Sequence, residues 1–358
     1  MVSAAAHSRY LATRYFGSLD GLRCLAILPV IWHHSTPGPL PGLWGRGPAG
    51  VDLFFCISGF LITTLLLREK ALRGGIALGS FYVRRALRIW PLFYVLLAAY
   101  VVFVFFMPRE LPQRAHFFRT LPWYATFTVN WFGNFGVPHA IFFSFAWSLC
   151  IEEQFYAFWP WFVRFCSRRG ALFVMCGLLA LDWFAERGAW SALLAPGSRA
   201  LRIVTSFAAP IGLGSVLALL LDQPYGFAVL ARLLGRSWSA PLALLAVGLL
   251  LFWPSAPLLA FQCSLAALVG ACVMREEHAL SLVLRCRPIA YIGAVSYGLY
   301  LLNSTAIGLV RRAFPAHAGG ALFVFLLSLP LALALAALSH RYLEAPFLRL
   351  RTRFSSAS

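Results

Sequence analysis

The chain has 358 residues, of which 61% are hydrophobic and only 12% charged. A soluble domain of that size carries about a quarter charged residues, so the composition argues against a soluble enzyme. The net charge of +18 comes almost wholly from arginine, Lys70 being the only lysine. With no RNA- or DNA-reading motif beside them and apolar runs between them, these cations point to membrane lipids and not to nucleic acid.

In chain order, ten apolar runs approach the roughly 20 residues that cross a hydrocarbon core. They are 19–34, 51–67, 89–106, 147–165, 171–185, 203–221, 240–253, 258–274, 289–309 and 321–338. The expected fold is an all-α polytopic membrane protein of about ten transmembrane helices, forming a single domain over the chain. The fifth run is short and contains Asp182, and the seventh is little more than an apolar stretch ahead of a proline. No small-x-small cleavage site follows the first run, which is therefore read as a retained span.

Between the third and fourth runs lies "AHFFRTLPWYATFTVNWFGNFGVPHA", aromatic but broken by Pro122, Asn130 and several glycines. Such a segment suits the headgroup level or a re-entrant path better than a crossing. Charge supports that reading. With ten spans and an inner N-terminus, cytoplasmic loops hold twenty of the thirty basic residues, and an added crossing would reverse the bias. Both termini are thus expected on the cytoplasmic side of the inner membrane. The eight cysteines fall mostly inside apolar runs with no C-x-x-C pair, as small buried hydrophobes would. No metal site is expected.

The first run, "GLRCLAILPVIWHHSTPG", carries Arg23 near one end and His33 and His34 at the other. Arg23 and His34 are about three helical turns apart and share a face, some ~16 Å apart along the axis, whereas His33 points about 100° away. Ionisable groups inside a span are costly and are functional candidates. The second run starts with Asp52, the fourth carries Glu152 and Glu153, and the ninth carries Asn303, all toward the same end as His34. Arg84, Arg85 and Arg88 in "FYVRRALRIWP" gather at the inner face, ahead of the third run. Each has a structural counterpart: an N-cap for Asp52, snorkelling for Arg23, topology anchoring for the arginine cluster. Their coincidence on matched levels favours a site.

Six stretches in order, "SLDGLRCLAILPVIWHH", "GVDLFFCISGFLITTLL", "FYVRRALRIWPLFYV", "WSLCIEEQFYAFWP", "SYGLYLL" and "RYLEAPF", resemble acyltransferase family 3. Its members are bacterial integral-membrane O-acyltransferases of surface polysaccharides, Nod factors and macrolides. The likeness spans residues 18–347. Its first-span pattern, a basic residue, ten residues and a histidine, fits Arg23 and His34 but not His33. The resemblance implies cytosolic acyl-CoA, most simply acetyl-CoA, as donor substrate and a glycan or other hydroxyl as acceptor at the outer face. Many relatives have a histidine where this chain has Asn303. Some also carry a C-terminal hydrolase-like domain, which this chain is expected to lack.

On that reading His34 is a general base or a transient acyl carrier, the base role needing one assumption fewer. Asp52 or Glu152 would orient it, and Arg84, Arg85 and Arg88 would hold coenzyme A phosphates. Arg23 would fix a phosphate or polarise the thioester carbonyl, and Glu153 and Asn303 would contact the acceptor. A different class, a transporter or flippase of lipid-linked sugars with a His/Asp/Glu proton relay, predicts inverted repeats that the sequence does not display.

Overall fold

The computed structural model describes residues 4–36, 48–133, 143, 145–192, 194–195, 198–253 and 255–354. Among them every regular element is a helix. In order these are α1 (Ala4–Ala12), α2 (Gly17–Ser35), α3 (Pro48–Arg73), α4 (Leu78–Phe105), α5 (Pro112–Ala125), α6 (Val129–Phe132) and α7 (Ala146–Phe165). Next come α8 (Arg168–Glu186), α9 (Arg199–Val204), α10 (Ala209–Leu221), α11 (Pro224–Leu234), α12 (Ser239–Phe252) and α13 (Leu258–Met274). The chain continues with α14 (Ser281–Leu284), α15 (Arg287–Ala294), α16 (Ser296–Ala313), α17 (Ala321–Ser339) and α18 (Ala345–Arg351), the last two joined by a π turn over His340–Glu344.

All ten apolar runs fall on helices, yet fewer qualify as spans. Four segments are long and apolar enough to cross a bilayer: 49–73, 78–105, 199–221 and 321–351. Counting three bent pairs as one span each raises the number to seven, the bends being 67°, 72° and 75°. The rest fall short for local reasons. α13 is short, and α7 carries the polar run Glu152, Glu153 and Gln154 in its first half. The sixth run lies within a qualifying segment although its helix is interrupted between α9 and α10, and the ninth qualifies only as a bent pair, turning at Val295 between α15 and α16.

The third helix departs from expectation in a way that matters for the site. It begins at Leu78, well before residue 89, so Arg84, Arg85 and Arg88 lie inside α4 and not in a loop. Nothing between Ser80 and Ile89 breaks a helix, and arginine is a good helix former. The turn before it is fixed by Glu69, which accepts from the Ala77 N–H at 2.8 Å and from Arg84 at 2.8 Å. Lys70 donates to Val163 O and Cys166 O, at 2.7 and 2.9 Å, and so neutralises the C-terminal carbonyls of α7. The aromatic segment after α4 is described to residue 133, as α5 and α6 with a break at Thr126–Thr128. It is tied to α7 by a reciprocal amide pair, Asn130 with Gln154, at 2.9 Å each way.

α3 is the central helix. One buried aromatic-rich cluster joins it to α4 and α7 through Phe93, Phe143 and Trp159. A second joins it to α2, α10 and α13 through Phe60, Leu22 and Leu268. Outward faces show Val102, Phe158, Phe173 and Leu249 to the lipid side. Close approach, as in membrane bundles generally, rests on glycine: a Cβ at Gly59 would lie 1.9 Å from Ile211 O, and one at Gly214 2.1 Å from Cys56 O. Overpacking of this kind costs about 1–3 kcal/mol. Gly59→Ala should therefore lower the thermal midpoint of the purified protein by several degrees or abolish its monodisperse form. Gly248→Ala, with open space around it, should leave both unchanged; equal behaviour of the two would refute the α3–α10 contact.

Candidate active site

A cavity of about 230 Å³ opens where α3 meets α2, α4, α7 and α16. α3 lines it with Val51, Phe54, Phe55, Ser58, Leu61, Ile62 and Leu65. That three-and-four spacing is one helix face, about 21 Å long at 1.5 Å per residue. α7 adds Ser148, Glu152 and Tyr156, also one face, and α16 adds Ser296, Tyr297 and Tyr300. The apolar face of α3 thus faces a polar wall.

One end of the cavity is cationic. Arg23, Arg85, Arg88 and Arg351 line it, from α2, α4 and α18. Arg23 pairs with Asp20 at 2.6 Å, and Asp20 also accepts from Tyr15. Arg85 stacks on the rings of Phe81 and Tyr156, at 5.7 and 5.8 Å, and its Nε has no hydrogen-bond partner. Among the described residues neither Arg88 nor Arg351 makes an ion pair, and neither do the other guanidinium nitrogens of Arg85. Arg84, expected with them, points elsewhere. Successive helix positions diverge by about 100°, and its guanidinium is held by Glu69 and Phe354 O. Arg351 went unrecognised in the sequence because "RLRTRF" reads as an ordinary cytoplasmic basic run.

His34 is not among the residues that line this cavity; it reaches the cavity wall through Asn303 and Tyr300 of α16. His34 Nδ1 lies 2.7 Å from Asn303 Oδ1. The orientation of that amide is fixed by its own donors, since Nδ2 donates to Tyr300 O at 2.5 Å and Leu299 O at 3.3 Å. Oδ1 can only accept, so Nδ1 carries the proton and Nε2 presents a lone pair. Asn303 is joined to the cavity wall through Tyr300, whose hydroxyl shares a hydrogen bond of 2.5 Å with Ser148 Oγ. His33 takes no part; its Nδ1 is buried without a partner. Another buried histidine, His278 in the loop after α13, bonds Ser18 Oγ at 2.9 Å. Burial, with the Arg285 charge second, pushes its pKa down to about 4, so it stays neutral.

The acids separate. Glu152 lines the cavity and accepts from Tyr156 at 2.5 Å, and Tyr156 in turn accepts from Ser58 at 2.5 Å. Glu153 turns out of the cavity and accepts from Trp90 Nε1 at 3.2 Å. Asp52 neither lines the cavity nor bonds His34; it stands within electrostatic reach of Glu186 on α8. The partner of His34 is thus the amide and not either carboxylate. Tyr156 and Tyr300 escaped sequence reasoning because tyrosines in apolar runs read as packing.

Comparison with known proteins finds several relatives. The peptidoglycan O-acetyltransferase OatA of Listeria monocytogenes is 39% identical over 164 residues, 44% of this chain and 25% of its own length. The putative peptidoglycan O-acetyltransferase YrhL of Bacillus subtilis is 29% identical over 359 residues, 93% of this chain and 55% of its own. A putative O-acetyltransferase of Staphylococcus aureus is 39% identical over 160 residues, 43% of this chain and 25% of its own. The chain therefore spans between a quarter and just over half the length of these relatives. No solved structure matches it. The family model described as an acyltransferase domain matches residues 16–340, a stretch that includes Arg23, His34, Arg85, Arg88, Glu152 and Asn303, and the chain belongs to acyltransferase family 3.

Proposed function

We propose that this protein is a membrane O-acetyltransferase that moves an acetyl group from cytosolic acetyl-CoA to a hydroxyl of an exported glycan. The observation that carries the reading is the set of guanidinium groups of Arg85, Arg88 and Arg351, which line one cavity and make no ion pair among the described residues. Unpaired cations in a low-dielectric cavity are costly, and a polyanion such as the coenzyme A phosphates supplies the missing charge. The relatives named as peptidoglycan O-acetyltransferases favour a cell-wall glycan as acceptor.

The chemistry follows from the His34 tautomer. Nε2 takes the proton of the acceptor hydroxyl as its oxygen attacks the thioester carbonyl. That attack forms the ester C–O bond and a tetrahedral oxyanion, whose collapse restores the carbonyl and breaks the C–S bond. The imidazolium then gives its proton to the departing coenzyme A sulfur. Asn303 holds Nδ1–H in place throughout, and the Ser58–Tyr156–Glu152 chain lines the route between the phosphate end and the carbonyl. Arg23, already paired with Asp20, shapes the cavity wall rather than binding an anion alone. Both termini lie on the donor side, with the segment through α5 and α6 not crossing.

The roles separate in kinetics. His34→Ala should lower kcat by about 10²–10⁴ with the protein still inserted, Asn303→Ala by less, and His33→Ala hardly at all. A His33 variant more damaged than the His34 variant would move the base to the neighbouring ring. Arg88→Gln and Arg351→Gln should instead raise the KM for acetyl-CoA by roughly tenfold to a hundredfold, the worth of a charge-assisted bond at about 1.5–3 kcal/mol, with kcat largely kept. Unaltered donor saturation in both variants would rule out phosphate binding there. For sidedness, single cysteines replacing Arg9 and Arg353 in a cysteine-free background should be shielded in intact cells from an impermeant thiol reagent, and one replacing His317 should be labelled. Labelling at residue 353 but not at residue 9 would require an odd number of crossings.

A further inference from the structure

A second cavity, of about 220 Å³, lies between α8, α10 and α13 and is not part of the site above. Its polar lining is Asp182 and Glu186 from α8 and Gln262 from α13, with the ring of Trp183 beside them. It sits at one end of these helices; at the other end Arg168 pairs with Asp222 at 2.9 Å. Asp182 and Gln262 are only 6% and 5% exposed. Asp182 faces the Ala209 N–H at the start of α10, where a carboxylate complements the helix dipole; that accounts for one of its oxygens. Gln262 has no such account. Among the described residues its amide makes no hydrogen bond, although it is more than nine-tenths buried and borders the cavity. An amide with no protein partner that borders a cavity is left for whatever polar molecule fills that cavity.

The donor set selects the ligand. Two carboxylates accept, while an amide both donates and accepts, a combination that suits adjacent hydroxyls, each of which also does both. An apolar pocket with a few convergent polar groups and an aromatic side chain is how small polar ligands are held. A cation would use the amide oxygen but leave its N–H groups idle, and no group of three metal-ligating side chains is found among the described residues. Glu186 is exposed, so the cavity opens to the surface beside it. Asp52 lies within electrostatic reach of Glu186, and its neighbour Val51 lines the main cavity. The start of α3 thus stands between the two cavities.

We propose that this second cavity is a saccharide subsite, in which Asp182, Glu186 and Gln262 hold the hydroxyls of one sugar ring of the acceptor. The assignment rests on the glycan-acceptor reading above, and extends it to a place apart from the acyl-transfer centre. The test is binding of the N-acetylglucosamine tetramer to the purified full chain in detergent, followed by saturation-transfer NMR and calorimetry without acetyl-CoA. Saturable binding is expected, weakened several-fold to about tenfold in Gln262→Met and in Asp182→Asn, with the KM for acetyl-CoA unmoved. Thermal midpoints show whether each variant is folded. Should either fail to fold, Glu186→Gln, at an exposed position, decides: unweakened tetramer binding there overturns the subsite. So does absence of saturable tetramer binding in the unaltered protein, or saturable calcium binding in its place. Acetyl-CoA breakdown on the same preparation separates the two readings. Tetramer binding without donor turnover sinks the acetyl-donor reading and leaves the subsite; donor turnover without tetramer binding does the reverse.

Discussion

Guanidinium groups inside a low-dielectric cavity set the terms for this molecule. A charge removed from water costs several kcal/mol unless something replaces its hydration, and most of the buried cations here have a visible replacement. Arg23 has Asp20, Arg84 has Glu69, and Lys70 has the carbonyls closing α7. Arg85, Arg88 and Arg351 make no ion pair among the described residues, and they share one cavity with the single carboxylate of Glu152. Rings of Phe81 and Tyr156 under Arg85 recover part of its cost, but a ring cannot serve as counterion for three charges. The surrounding helices hold that cost in place: α3 is pinned against α10 by glycine contacts, and α4 is anchored at its start by Glu69. A bundle packed this closely cannot relax by turning the arginines to water.

That packing also explains why the histidine is usable. On the proposed reading His34 must present Nε2 to the acceptor, and one hydrogen bond to Asn303 achieves this only because the amide cannot rotate. Two backbone carbonyls of α16 take the Nδ2 protons, so a flip would turn the Oδ1 acceptor toward those carbonyls and lose both bonds. A carboxylate in that position would do more, stabilising the imidazolium by charge. An amide orients without adding charge, which on that reading leaves the surroundings of His34 nearly neutral while the arginine-lined cavity is strongly positive.

Much of the helical plan was legible in the sequence, because a hydrophobic run declares its helix. Every apolar run is helical, and Arg23 and His34 do lie on one continuous helix. Side-chain partners were less legible. Spacing along one helix fixes relative angles but not the neighbours met across the bundle, so Asp52, Glu152 and Asn303 could not be ranked as partners of His34. Of the three, Asn303 bonds His34, whereas Glu152 accepts from Tyr156. Arg84 and Arg88 show the same limit, since both read as one basic cluster, and only the position of Glu69 distinguishes them. The start of α4 was hidden for another reason: hydropathy ends where arginine begins, whereas a helix continues through arginine.

The two adjacent residues Val51 and Asp52 show how one helix can serve both ends of a transfer reaction. About 100° separates them on α3, enough to place Val51 on the main cavity and Asp52 toward α8. A helix with neighbours on both sides is a wall with two faces, and each face can be specialised independently. On the main-cavity side, apolar residues recur along α3 from Val51 to Leu65 with Ser58 as the polar break, a surface suited to a long, thin donor arm. On the other side the Asp52 carboxylate stands within electrostatic reach of Glu186 on α8. If donor and acceptor are held on opposite faces of α3, neither has to pass through the other's cavity, and they meet only beyond its N-terminal end, where α2 ends at His34. A transferase across a membrane needs this separation, because a single open channel serving both substrates would also admit water to the thioester.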